Sequence, residues 1–581
     1  MQNILFPPRA RRWAAAGLLS ALLPLTVLAA APADLIVRNG RIYTVGAGAP
    51  WVEAFAVRAG RFVATGSNAQ IAAYTGPDTR VLDLQGAMAM PGINDVHAHP
   101  LDGGYEDLFA CNFTPSSSLE QVLARVGDCA ARAAPGEWIV GAAWSSGLLP
   151  AIATPAALDA LDRASAGHPV MLRDDTFHNR WVNSEGLRRA GIGAASANPA
   201  GGEIVRDGGG KPVGLLKEFP AFLAVEQQIP PRSPERQLQA AAAAEATLNR
   251  FGITGVQDAF SSEAILRVWD RLNRTQGLSL HMVSSLSAMP PSTPGERSGP
   301  ALMQVRADYR SGNLHPDFAK LFLDGVPPAR TAAFLAPYLP DHEHGAHFRG
   351  QAHYSLAQLT ALLAALDRDG IPVKMHATGD GSVRLALDAV AAVRKRNGPG
   401  GPRHQIAHAS FIAPADLARF RQLNVTAEIS PMLWFPTGLG IATGMAIGQE
   451  RAAHMFPVKS LLRSGALVAG GSDWPAGQPT ANPWIGIEGL VSRKDPLGRI
   501  PGALWPEQAI DLASALRIYT INSARAMGMD RQTGSIEVGK SADFIVLDRK
   551  LFEIPIEQVH LVTVRHTYFA GREVYSAPAQ P

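Results

Sequence analysis

Past residue 33 the chain opens in short apolar segments punctuated by turn signals. Asp34–Arg38 runs into Asn39-Gly40 and then Arg41–Val45, and Ala54–Arg58 runs into Ala59-Gly60 and then Arg61–Thr65. Alternation of this kind around Asn-Gly or a Gly-containing pair predicts β-hairpins. The same texture returns at the far end, in Asp543–Asp548, Val562–Tyr568, the turn Ala570-Gly571 and Glu573–Tyr575. Both ends therefore read as β, and the economical arrangement is one small β-sandwich assembled from residues 32–89 and 531–581.

Between them, apolar runs alternate with Ala/Leu-rich helical stretches. One helix is fully punctuated: Ser233 as N-cap, Pro234 at the first position, Glu235 in the first turn and Gly252 beyond the last. The apolar runs are Ile253–Asp258, Leu280–Ser284, Ala319–Asp324, Val373–His376, Gln405–His408, Val425–Ile429 and Leu467–Asp473. With the run that ends at His97–His99 they make eight, the number a (β/α)₈ TIM barrel requires. The predicted fold class is thus α/β, with the barrel over residues 90–530. Two further strand-like pieces, Trp138–Ala142 and Val170–Arg173, would overfill it. They are assigned to a large insertion after the first barrel strand, at about 103–230.

The first 31 residues have a different character. Arg9, Arg11 and Arg12 precede an uncharged run from Trp13 to Ala29, and Ala29-Ala30-Ala31 then meets Pro32. This pattern predicts a cleaved secretory signal peptide and export to a periplasm, with Arg11-Arg12 admitting a twin-arginine route. The rival is a membrane anchor, disfavoured by Pro24 and a marginal length. The formal net charge of +3 resides entirely in those three arginines. The mature chain therefore carries no basic excess and is not expected to bind nucleic acid. With only Cys111 and Cys129 in the chain, a thiolate zinc cluster is excluded. In an oxidising compartment the two are expected to form a disulfide rather than remain separate thiols.

Candidate chemistry sits at the ends of the apolar runs. His97 and His99 are two apart on one strand, so both imidazoles project to the same side and can share one ion. His376, His408 and Asp473 each close an apolar run of their own. In a barrel all C-terminal strand ends meet at one mouth, where such groups converge on a metal site. Lys320 interrupts an otherwise apolar strand that ends at Asp324. A buried lysine must lose its charge or find a partner. Its neutral amine could add CO₂ to form a carbamate that bridges two ions, or it could pair with Asp324 on the same strand face. Lys374 shares strand parity with His376 and is the rival lysine. His342-Glu343-His344-Gly345-Ala346-His347 reads as a solvated loop, because no apolar strand presents it. Trp144, Phe435 and Trp474 are expected pocket aromatics, and Glu428 has no assignable role.

In order along the chain stand Pro91-Gly92-Ile93-Asn94-Asp95-Val96-His97-Ala98-His99, the Lys320 strand, His376-Ala377-Thr378-Gly379-Asp380, His408, Gly471-Ser472-Asp473 and the tail Gly534–Asp543. This ordered set resembles the amidohydrolase superfamily, in the branch similar to N-substituted formamide deformylases, over nearly the whole mature chain. The resemblance implies that His97, His99, Lys320 and Asp473 hold one divalent ion, and that carboxylated Lys320, His376 and His408 hold a second. It also implies that His178, in the insertion, stabilises the oxyanion; as a bare residue His178 could equally be a hydrogen-bonded loop histidine. Where the family's lysine strand usually runs into a Gly-Ser-rich turn, this chain has Asp324-Gly325-Val326-Pro327-Pro328.

Two such ions lower the pKa of a shared water and polarise a carbonyl. Asp473 at their edge can take the proton and pass it to a leaving nitrogen. Imidazole and oxygen donors suit two zinc ions per chain, with iron and manganese also compatible. The expected activity is hydrolysis of a non-peptide C–N bond in a small-molecule amide. A mononuclear deaminase of a heterocycle is the alternative, and it is disfavoured by the absence of a Glu shortly after His376. An inactive periplasmic binding protein is the other, and it would be missing ligands, whereas every expected ligand position is filled.

Overall fold

The computed structural model describes residues 31–578 apart from 290–294, 342 and 434–435. The expected leader over 1–31, except Ala31, thus lies outside the described residues, as do His342 and Phe435. No helix among the described residues is long and apolar enough to cross a membrane.

Eight parallel strands follow one another around a barrel, each pairing with the next in sequence: β1 Ile93–Ala98, β2 Ile253–Ser261, β3 His281–Ser287, β4 Leu314–Phe322, β5 Val373–Ala377, β6 Gln405–His408, β7 Thr426–Ile429 and β8 Leu467–Gly470. They are buried along almost their whole length because a parallel strand in a barrel is covered on both faces. β4 begins at Leu314, five residues before the predicted run, because His315-Pro316-Asp317 masks its start. β8 and β1 meet without a regular ladder. The seam is closed by Asp473 N–H donating to the His97 carbonyl (2.7 Å) and His99 N–H donating to the Trp474 carbonyl (2.7 Å). The buried Asp95 carboxylate also accepts the Ser472 amide there (3.1 Å). The helix Pro234–Arg250 starts at its Ser233 cap, as its punctuation predicts.

Between β1 and β2 lies a second, six-stranded sheet, which contains both strand-like pieces set apart from the barrel, now Ile139–Trp144 and Val170–Asp174. Cys111 and Cys129 form a disulfide there. Closing an 18-residue interval lowers the entropy of the unfolded chain, worth about 3 kcal/mol. Replacing both cysteines by Ser should lower the urea midpoint accordingly, without loss of the fold; an unchanged midpoint would deny the bridge a stabilising role.

The chain ends combine as a β-sandwich. One sheet has four strands from residues 35–83, and the other has six, three from the N-terminal part and three from 544–576. Phe55, Phe62, Phe544 and Tyr568 pack in its core. Ala59-Gly60 and Ala570-Gly571 are hairpin turns, as predicted, with both residues of each at positive φ. Asn39-Gly40 is not. Leu35–Arg38 pairs within the first sheet and Arg41–Tyr43 within the second. Only Asn39 takes a positive φ (55°), whereas a two-residue hairpin turn of that kind needs it at both positions. Gly40 serves close packing instead, since a β-carbon there would stand 2.4 Å from Leu84 Cδ1.

Candidate metal centre

The strand ends bring their polar residues to one mouth. His97 (β1), His408 (β6) and Asp473 (just past β8) have ligand atoms all within 4.8 Å of one another. His97 Nε2 and His99 Nε2 lie 3.4 and 3.5 Å from the same Asp473 oxygen, Oδ1. Donors placed about 2.0–2.2 Å from one tetrahedral ion stand roughly 3.3–3.6 Å apart, so this spacing fits a divalent ion. The arc continues through His376, whose ring centroid is 4.7 Å from that of His408 and 4.7 Å from that of His178. Burial, reinforced by neighbouring imidazoles and by Lys320, holds His97, His376 and His408 well below the ordinary imidazole range. They are neutral and have a lone pair to offer.

Each of these rings is fixed through one nitrogen and leaves the other for an ion, the arrangement that sets tautomer and direction in metal sites. His97 Nδ1 contacts Glu428, His376 Nε2 contacts the Gly325 carbonyl (3.1 Å), and His408 Nδ1 contacts Ser430 Oγ (3.2 Å). The backbone is strained at the same place. His408, Asp473, Phe177 and Glu218 all sit at φ between +60° and +69°. A left-handed backbone costs a non-glycine residue about 1–2 kcal/mol, and such outliers gather at working sites.

Lys320 and Lys374 are cross-strand partners on β4 and β5, but their surroundings differ. Lys374 donates to the Val96 carbonyl (2.9 Å), forms an ion pair with Glu428, and does not line the cavity. Lys320 lines it, with Nζ 4.8 Å from the Phe322 ring centroid and no hydrogen bond or ion pair among the described residues. Burial first, and then the Lys374 charge, bring its pKa down to about 7. Asp324 is not its partner. That carboxylate accepts the amides of Ala333, Thr378 and Gly379 (2.9–3.0 Å) and so pins the loop after β5.

The insertion reaches the mouth twice. Phe177 stacks on His99 (5.1 Å, 23°) and is covered by the Arg173 guanidinium (3.5 Å), itself held by Glu106. His178 Nδ1 bonds Glu218 Oε2 (2.8 Å), while the Glu218 amide donates to the His178 carbonyl (2.7 Å). Burial by itself would depress His178, but the Glu218 contact together with the Asp174 and Asp324 charges outweighs it, and the net shift is upward. Gly325 fits against this pair only because it lacks a side chain: a β-carbon would stand 2.0 Å from Glu218 Oε1.

The cavity over these groups measures about 1710 Å³. That exceeds the roughly 300–1,000 Å³ usual for small-molecule sites. Phe177, Phe260 and Phe322 contribute aromatic surface to it. Trp144 and Trp474 do not line it; both are packed in apolar cores, because each follows an apolar strand inward. In the histidine-rich loop, His344 is tied to Asp341 and packs at a tilt against Phe348 (4.0 Å, 34°). Sequence reasoning missed Glu218 and left Glu428 without a role. The signal for Glu218 is faint: it follows the apolar run Val213–Leu216 only after Lys217, and it lies in the insertion, away from the barrel strand ends that mark the other site residues.

A model of the amidohydrolase family matches residues 80–575. The chain is 30% identical over 570 residues to the protein LONG AFTER FAR-RED 3 of Arabidopsis thaliana (96% of this chain, 94% of the relative). It is 28% identical over 550 residues to an N-substituted formamide deformylase of Arthrobacter pascens (93% and 97%). A metal-dependent hydrolase from Pyrococcus horikoshii shares the fold, with a TM-score of 0.68 at 23% identity, over 90% of this chain and 99% of the other. On the match of the family model across most of its length, the chain belongs to the amidohydrolase family.

Proposed function

We propose that this protein is a metal-dependent hydrolase of a non-peptide C–N bond, in an N-formyl or N-acyl amide. The observation that carries the reading is the convergence of His97, His99 and Asp473 at ion-ligand spacing, beside a buried, unpartnered Lys320 and the neutral His376 and His408. The Arthrobacter relative, named as an N-substituted formamide deformylase, supports the substrate class.

His97, His99, Asp473 and Lys320 would hold one ion and His376, His408 and Lys320 the other, with Lys320 as a carbamate formed from CO₂. The donor set suits zinc, and also iron or manganese. When bound, such ions polarise a carbonyl and acidify water. Asp473 accepts the proton released by the attacking water and returns it to the nitrogen as the C–N bond breaks; an amine leaves poorly without it. His178, hydrogen-bonded through Nδ1 to Glu218 and shifted upward toward its doubly protonated form, presents Nε2–H to the cavity and donates to the oxygen that gains charge. The aromatic side of the cavity, around Phe177 and Phe322, receives the N-substituent. In the same reading the first 31 residues are a cleaved leader and the enzyme works in the periplasm, so the exported protein should begin at Pro32.

The test is a screen of formamides, N-acylated amino acids and lactams with zinc- and bicarbonate-loaded protein, followed by amine release. Turnover of one amide class is expected. Zinc-loaded protein that hydrolyses none of them but deaminates heterocycles would overturn the assignment. Within an active class, His178→Ala should lower kcat by about 10²–10³-fold with ion content unchanged. Unaltered kcat would remove His178 from the chemistry.

A further inference from the structure

Glu428 stands outside the donor set, yet it is one of the most enclosed charged groups in the molecule, at 0% exposure. Its Oε1 engages His97 Nδ1, and its Oε2 pairs with the Lys374 ammonium. Lys374 in turn donates to the carbonyl of Val96, the residue just before His97 (2.9 Å). The three residues come from β7, β5 and β1, none of which neighbours another in the barrel order. The contact is therefore a strut across the barrel interior that grips β1 twice, once by the His97 ring and once by the Val96 backbone.

Stability alone does not account for such a strut. Burying an ion pair costs solvation that its attraction barely returns, and well-packed apolar replacements are often neutral or better. What the pair does uniquely is geometric. A carboxylate against Nδ1 keeps the proton on that nitrogen and turns Nε2 toward Asp473, 3.4 Å away.

We propose that Glu428 is the positioning residue of His97, and that Lys374 is its dedicated counter-ion, whose engagement leaves Lys320 as the one amine of the cross-strand pair open to CO₂. This rests on the two-ion reading above and deepens it. It also explains why two lysines in register on adjacent strands have different fates: Lys374 has both an anion and a carbonyl to satisfy it, whereas Lys320 has neither.

The test uses the full-length protein and zinc alone as the probe. E428L/K374M removes both charges together, which avoids stranding either one in the interior, and E428Q/K374M keeps an oxygen that can accept from Nδ1–H. Zinc affinity is read by competition with a chromophoric chelator, with far-UV circular dichroism to establish folding. E428L/K374M is expected to fold and to bind its tightest zinc about 10- to 100-fold more weakly, and E428Q/K374M to recover most of that loss. Wild-type affinity in folded E428L/K374M would overturn the positioning role. Wild-type protein that binds no zinc would instead overturn the underlying hydrolase reading. For the lysines, K320A loaded with ¹³C-bicarbonate is expected to show no carbamate resonance. A carbamate that persists in K320A and disappears in K320A/K374M would place the modification on Lys374 and overturn its assignment as a counter-ion.

Discussion

Asp473→Asn is expected to lower kcat by at least about 10³-fold while changing KM little. The substitution keeps the shape of the side chain and one oxygen that can still face His97 and His99, at the positions now 3.4 and 3.5 Å away. It removes the group that can accept a proton from water and hand it to the departing nitrogen. The loss therefore falls on the chemical step, whose leaving group is a poor one. The backbone at Asp473 is left-handed (φ 60°), a conformation that asparagine adopts readily, so the fold should be undisturbed. Steady-state kinetics with ion content measured on the same sample separates the two contributions. Turnover within tenfold of wild type at full ion occupancy would exclude Asp473 from proton transfer.

Lys320→Ala is the second large effect. It should cost one ion per chain and lower kcat/KM by roughly 10³-fold or more, the scale of several kcal/mol of lost charge stabilisation. The fold has little to lose, since the amine makes no hydrogen bond or ion pair among the described residues and its burial is itself unfavourable. The space vacated beside Phe322 is open to the cavity, so acetate or propionate added in excess should enter and restore part of the activity by supplying the missing carboxylate. Rescue by a short carboxylate, and not by chloride at equal ionic strength, is the outcome that identifies a two-oxygen ligand. Full ion occupancy in the variant would dismiss the carbamate.

Much of this arrangement is legible in the sequence for a physical reason. Parallel barrel strands are buried on both faces and mostly apolar, so a histidine or aspartate that ends such a run is conspicuous, and barrel geometry gathers every such end at one mouth. His97, His376, His408 and Asp473 all announce themselves in this way, and the structure brings their rings and carboxylate together. What lies beyond the strand ends does not. The Glu218–His178 contact spans 40 residues of the insertion and depends on how two antiparallel strands register there. The Glu428–Lys374–His97 strut joins three non-adjacent strands, and no spacing along the chain encodes it. Asn39-Gly40 misleads in the opposite sense. A local turn signal is overridden because its flanking strands find better partners in two different sheets. The aromatics fail similarly: Trp474, although it follows Asp473 in sequence, and Trp144, at the end of an insertion strand, both turn into apolar cores.

Ion content per chain is the most direct measurement. Metal-free protein reconstituted with zinc should hold two ions per chain when bicarbonate is supplied and one when it is excluded, with Lys320→Ala fixed at one in both conditions. Protein that takes up no stoichiometric zinc, or the same single ion with and without bicarbonate, would contradict a paired site built around a carboxylated lysine.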